Sequence, residues 1–95
     1  MVGTDALKLV IRQIALDHNC HLNDWWSCDD EPDVHMIWVY YVHYSGFTVG
    51  QLILRPDRLT MVDKRAHRRG GRTIVNLGDP ELLDKFAGWL ARFSP

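Results

Sequence analysis

Apolar side chains recur at Leu7, Val10, Ile11, Ile14 and Ala15, a single stripe at helical spacing. The pattern predicts a first helix from Thr4 or Asp5, either of which can cap it, to about His18. Leu9 and Leu16 lie almost opposite that stripe. They read as tolerated surface leucines, with contact to a second chain as the other reading. The periodicity then changes. Val34 to Tyr44 is a long β-branched and aromatic run and predicts a strand. Ser45-Gly46 predicts a two-residue turn, and Phe47 to Arg55 the returning strand. Pro56-Asp57 predicts another tight turn, followed by a third strand over Arg58 to Val62. Asp63 to Gly71 reads as a basic loop, and Arg72 to Leu77 as a fourth strand. Gly78-Asp79-Pro80-Glu81 opens a second helix, with Asp79 as cap and Pro80 at its first position. Leu82, Leu83, Phe86, Trp89, Leu90 and Phe93 form its wide apolar face, with Glu81, Asp84, Lys85 and Arg92 opposite. Residues 19 to 33 show no clear period and read as an irregular, acidic connection.

The tight turns also predict a register. With Tyr44 opposite Phe47, Trp38 meets Ile53, Tyr40 meets Gln51, Val39 meets Leu52 and Ile37 meets Leu54. With Pro56-Asp57 as the next turn, Leu54 faces Leu59 and Leu52 faces Met61. Side chains alternate along a strand, so the pairing sorts the sheet into two surfaces. One is aliphatic: Ile37, Val39, Leu52, Leu54, Leu59 and Met61, with Tyr41 beside Gly50, and with Val75 and Leu77 on the same side. The other is mixed. It carries Trp38, Tyr40, Tyr44, Phe47, Gln51, Ile53, Arg55, Arg58, Thr60 and Val62, joined by Arg72, Ile74 and Asn76. The expected fold is α+β: an N-terminal helix, a four-stranded antiparallel meander and a C-terminal helix. Both helices cover the aliphatic face and leave the mixed face open.

Composition bounds this picture without changing it. Ninety-five residues make one domain, 1–95, and the chain is 46% hydrophobic and 24% charged, as for an ordinary globular protein. No apolar run reaches the roughly 18 residues that cross a bilayer. The first residues lack the basic-then-apolar order of a signal peptide, so a cytoplasmic location is expected. The net charge of −1 points to no partner, but its distribution is uneven. Asp24, Asp29, Asp30, Glu31 and Asp33 crowd one stretch; Arg55, Arg58, Lys64, Arg65, Arg68, Arg69 and Arg72 crowd another.

Candidate chemistry is sparse. His18, Cys20, His21 and Cys28 are zinc-ligand types, but their spacing matches no structural finger. His35 and His43 share a strand face roughly 26 Å apart at strand rise, too far to act together. The acidic stretch lacks the calcium-loop pattern and is interrupted by Pro32. Gly70-Gly71 precedes a strand, not the helix a phosphate loop needs. No nucleophile–base spacing suggests catalysis, and no cofactor or metal is expected.

What remains is a surface. Trp38, Tyr40, Tyr44, Phe47, Arg55 and Arg58 form an aromatic, arginine-bearing patch, and those residue types are enriched where proteins bind one another. The expectation is a non-catalytic interaction module for a protein partner, with a second copy of the chain among the candidates. The alternative is nucleic acid, gripped by Lys64, Arg65, Arg68, Arg69 and Arg72 and stacked on the same rings. A third arrangement would close the patch: residues 19 to 33 could fold across it, packing Trp25 and Trp26 on Trp38 and Tyr40. The helix–strands–helix order is similar to that of the double-stranded RNA-binding domain. That family has a lysine-rich start to its second helix, however, and here Gly78-Asp79-Pro80-Glu81 would repel phosphate. The RNA recognition motif differs in element order, and the chain is assigned to neither family.

Overall fold

A computed structural model describes residues 4–43, 48–65 and 71–93. Helix α1 spans Thr4–Asp17, and helix α2 spans Leu82–Ala91. Between them lie six strands: β1 (Cys20–Leu22), β2 (Trp26–Cys28), β3 (Glu31–Tyr41), β4 (Thr48–Leu54), β5 (Arg58–Asp63) and β6 (Arg72–Asn76). All pairings are antiparallel, in the order β1-β3-β4-β5-β6, with β2 also on β3. The expected frame of helix, antiparallel sheet and helix therefore holds, with six strands in place of four.

The two extra strands come from residues 19 to 33, which are not an irregular connection. Asn19 leaves α1 with a left-handed backbone (φ 59°), which Asn tolerates. The chain then turns back along the free edge of β3: Cys20 meets Tyr41, His21 meets Tyr40, and Leu22 meets Val39. At Asn23 the ladder changes hands, because the Asn23 side-chain oxygen accepts the Trp38 N–H at 2.8 Å. Pairing resumes where Trp26 meets Met36. Each of β1 and β2 spans three residues.

The core lies between the two helices and one face of the sheet. Ile11 and Ala15 of α1 and Leu82, Phe86, Trp89 and Leu90 of α2 pack with Ile37, Val39, Leu52, Leu54, Leu59 and Met61. Two helical positions depart from expectation. Val10 and Leu83 are exposed at the borders of their apolar stripes. Leu9 and Leu16 are exposed as expected. Leu82 follows a turn rather than a side-chain cap: the Asp79 carboxylate accepts the Glu81 N–H at 2.8 Å, one step before the helix, and no side chain caps Glu81.

The β4–β5 register is the expected one, Leu54 on Leu59 and Leu52 on Met61. The Arg55 N–H donates to the Arg58 carbonyl at 2.9 Å and closes the Pro56-Asp57 turn. The β3–β4 register differs by two residues: Ile37 meets Leu52, Trp38 meets Gln51 and Val39 meets Gly50. Ser45-Gly46, the turn expected between these strands, lies outside the described residues. A shift of two preserves the faces. A β-bulge then places Val49 between the Val39–Gly50 and Tyr40–Thr48 pairs, and Val49 enters the core.

A buried ion cluster ties the sheet to α2. Odd-numbered residues of β5 point inward, and Asp63 follows Leu59 and Met61 with a side chain that is 0% exposed. Arg65 Nη2 lies 2.8 Å and Arg92 Nη1 3.6 Å from its carboxylate. Arg65 also covers the Phe93 ring at 4.9 Å and donates to the Arg92 carbonyl at 3.3 Å. Burial alone would raise the Asp63 pKa, but hydrogen bonds from Arg65 and the charges of Arg65 and Arg92 outweigh it. The carboxyl titrates below its ordinary range.

Candidate functional site: the open face of the sheet

Both helices lie on one side, so the other side of the sheet is built from the residues that alternate with the core. The register draws them into rows. Trp26 meets Met36, Met36 meets Ile53, Ile53 meets Thr60, and Thr60 meets Ile74. This row crosses β2, β3, β4, β5 and β6, about 19 Å at the usual strand spacing. It is exposed at its two ends: Trp26 is 41% and Ile74 62% accessible. Between them Met36 and Ile53 are half-buried, and Thr60 is buried among its larger neighbours.

The next row runs Trp38, Gln51, Val62, Arg72. Lys64 continues the outward alternation of Arg58, Thr60 and Val62, and its ammonium lies 5.9 Å from the centre of the Trp38 ring. At the border of the face the His21 ring meets Tyr40 edge-on at 5.5 Å. At the opposite end of the strands, Arg58 is paired with the exposed Asp57 at 3.0 Å. The acids Asp29, Asp30, Glu31 and Asp33 are all exposed around the β2–β3 turn, also at that end.

The alternation puts Trp38 and Tyr40 of β3 and Arg58 of β5 on this face, while Arg55 lies just past the end of β4, outside the paired residues. Tyr44, Phe47, Arg68 and Arg69 lie outside the described residues. Two expectations are corrected. First, residues 19 to 33 do not lie across the aromatic patch. They extend the sheet sideways, so Trp26 joins the patch, while Trp25 turns inward and packs against the core. Second, Arg65 is not displayed with Lys64 and Arg72: it faces inward, engaged with Asp63 and Phe93. Sequence reading missed Trp26 and Met36 as members of the row. Their signal was present only as an apolar pair awaiting a strand partner.

The cysteines and histidines do not converge. Cys20 is buried in the core, Cys28 is exposed on β2, and the His18 ring bonds the Ile14 carbonyl at 3.0 Å. Among the described residues no three metal-ligating side chains group together. Burial pushes the Cys20 thiol up to about 11, so it is inert as a nucleophile at neutral pH. A thiol reagent should therefore modify Cys28 alone in the native protein and both cysteines after denaturation. Mass spectrometry of the labelled protein checks this, and rapid native labelling of Cys20 would contradict its burial.

Among the described residues no helix is long and apolar enough to cross a membrane. No family model matches the chain, no curated protein matches it, and no solved structure matches it.

Proposed function

We propose that the protein is a non-catalytic interaction module whose open sheet face takes a protein partner, in the first instance a second copy of itself. The observation that carries this reading is the row Trp26, Met36, Ile53, Thr60, Ile74. Four large apolar side chains, interrupted by the buried Thr60 and exposed at both ends of the row, make a surface suited to association.

The row also favours a second copy. It is centred on β4, so a two-fold axis along β4 sets Ile53 on Ile53, Met36 over Thr60 and Trp26 over Ile74 of the second copy. Such a contact is isologous and self-complementary. The same axis carries the acidic β2–β3 turn of one copy toward the Arg58 corner of the other. Two sheets stacked this way sit about 10 Å apart with aligned strands. Five strands and four or five residues of each give a footprint of roughly 400 Å2 per copy, about half that of a standard specific interface and in the range of weak, transient contacts. Association is therefore weak and reversible.

Sedimentation velocity over a concentration series tests this. The wild type should shift from monomer to dimer at micromolar to millimolar concentration. Ile74→Asp alters an exposed side chain, so it should remain monomeric with stability changed by no more than about 0.5 kcal/mol. Trp38→Ser should also be monomeric and folded. A wild type that stays monomeric at the highest concentration rejects the second copy as partner. A Trp38→Ser protein that unfolds makes the face a second core instead of a binding surface.

One observation favours nucleic acid as a second reading: Lys64 lies over the Trp38 ring, and Arg72 belongs to the same row. The withdrawal of Arg65 into the Asp63 cluster counts against it. Tryptophan quenching by single-stranded oligonucleotides that weakens steeply with salt, and weakens again in Lys64→Gln, would bring this reading forward.

A further inference from the structure

A second surface feature lies away from the open face, where α1 crosses the end of β1. Lys8 is only 17% exposed, yet its one carboxylate neighbour among the described residues, Asp5, is 3.9 Å away and almost wholly in solvent. Lys8 Nζ donates to His35 Nδ1 at 3.2 Å. Arg12 spends its guanidinium on neutral acceptors, donating to the Leu22 and Asn23 carbonyls at 2.9 and 3.0 Å. Among the described residues Arg12 has no ion pair. Two positive charges thus line one groove, with one exposed carboxylate, Asp5, beside Lys8.

The walls are apolar. Lys8 lies over the Trp25 ring, 5.6 Å from its centre, and Trp25 is held by the core behind it. Leu9, 71% exposed, forms the opposite rim. Asp5, Lys8, Leu9, Arg12 and Trp25 together line an open groove of about 300 Å3. The Trp25 indole N–H is shut off from water and has no acceptor among the described residues.

We propose that this groove binds a small organic carboxylate, with its apolar body against Trp25 and Leu9 and its carboxylate between Lys8 and Arg12. The volume is at the small end of ligand pockets and suits a small acid. The two cations are already ordered by His35 and the carbonyls, so binding orders few new side chains. A charge-assisted bond to each cation fixes the orientation, and the aromatic wall selects for an apolar body over inorganic phosphate. The same chemistry is offered by a free aromatic or branched acid and by the C-terminal carboxylate of a peptide ending in an apolar residue.

The test is a titration of the isotopically labelled protein, followed by amide and indole NMR signals at constant ionic strength. The probes are phenylacetate, phenylacetamide, acetate, inorganic phosphate, and a short peptide ending in leucine with a free or an amidated C-terminus. Saturable shifts confined to Trp25 and to residues 5 to 12, given by phenylacetate and not by phenylacetamide, are expected. Lys8→Met should weaken phenylacetate about tenfold or more, as loss of a charge-assisted bond does. Leu9→Ser alters an exposed side chain with no structural duty; it should weaken phenylacetate and leave acetate unchanged. Binding of the free peptide but not its amide assigns the ligand to chain ends, and binding of phenylacetate alone assigns it to free acids. The proposal is overturned by an absence of saturable shifts at millimolar probe. It is equally overturned by phosphate competing as well as phenylacetate, or by a folded Lys8→Met that binds as the wild type does.

Discussion

Asp63→Asn should lower the stability of the folded protein by about 2 to 3 kcal/mol, a shift of some 10 to 20 °C in Tm for a domain of this size. The carboxylate is 0% exposed, whereas Arg65 and Arg92 are 17% and 38% exposed. Breaking a fully buried pair costs about 3 to 5 kcal/mol, and the partial solvation of both arginines reduces that. The substitution keeps the volume of the side chain and removes its charge, which leaves two guanidinium groups facing an amide. Stability should also depend on pH with a definite sign. The folded pKa of Asp63 is depressed, so its contribution is complete above the unfolded carboxyl pKa of about 4 and is lost as pH falls through the folded value. Thermal unfolding measured from neutral to acid pH checks both statements. The gap between wild type and Asp63→Asn should stay constant at pH 5 to 7 (a range set by that roughly 4) and shrink in stronger acid. A gap that is small at neutral pH, or that widens in acid, would show that the cluster contributes no net stability.

Gly50→Val should be about as damaging, for a steric reason. Gly50 faces the core from β4, opposite Val39 and Asp63. A Cβ at this position would lie 2.6 Å from Trp89 Cη2, 3.1 Å from Trp89 Cζ2 and 3.0 Å from the Val62 carbonyl oxygen. The indole is rigid and buried against Phe86 and Phe93, whose centroids lie 6.4 and 4.9 Å from its own, so it cannot swing away. Overpacking of this kind costs about 1 to 3 kcal/mol or more. Gly50→Ala places the same Cβ and should already lower stability, but by less than Gly50→Val because it lacks the two γ methyls. Denaturant titration of Gly50→Val, Trp89→Phe and the double variant provides the decisive comparison. If the contact is the cause, Trp89→Phe removes most of the Gly50→Val penalty. Strictly additive losses would place the cost elsewhere.

Much of the fold is legible because tight turns and alternation are short-range signals. Pro56-Asp57 forces β4 back on β5 after two residues, so Leu54 and Leu59 pair as read. The Ser45-Gly46 hairpin is a weaker guide. The pairing of β3 with β4 is displaced by two from the one it predicts. Because two is the strand period, Ile37, Val39, Leu52 and Leu54 still face inward. Val49 escapes the alternation because a bulge inserts it, and nothing in its neighbours announces a bulge. The three-residue strands β1 and β2 are too short to show a period, and the acids beside them resemble a solvated loop. Both are strands because the edge of β3 offers unpaired backbone groups, which is a tertiary fact. Asp63 was readable in principle. It follows Leu59 and Met61 at alternate positions, and an inward carboxylate beside a basic stretch demands a buried cation. The Lys8 groove was not readable, since α1, Trp25 and His35 meet only after the sheet has formed.

The sheet has one further consequence, for the order in which the chain is made. Every strand is synthesised before α2, so Leu52, Leu54, Leu59 and Met61 emerge with half of their cover still to come. α1 is present but reaches only part of that surface, since Phe86, Trp89 and Leu90 complete it. Until then the nascent chain carries a bare aliphatic sheet beside the unpaired edge of β6, the combination that most readily recruits other chains. A chain truncated before Leu82 would therefore keep that surface bare and be the species most in need of a chaperone, and the ten residues of α2 end that need.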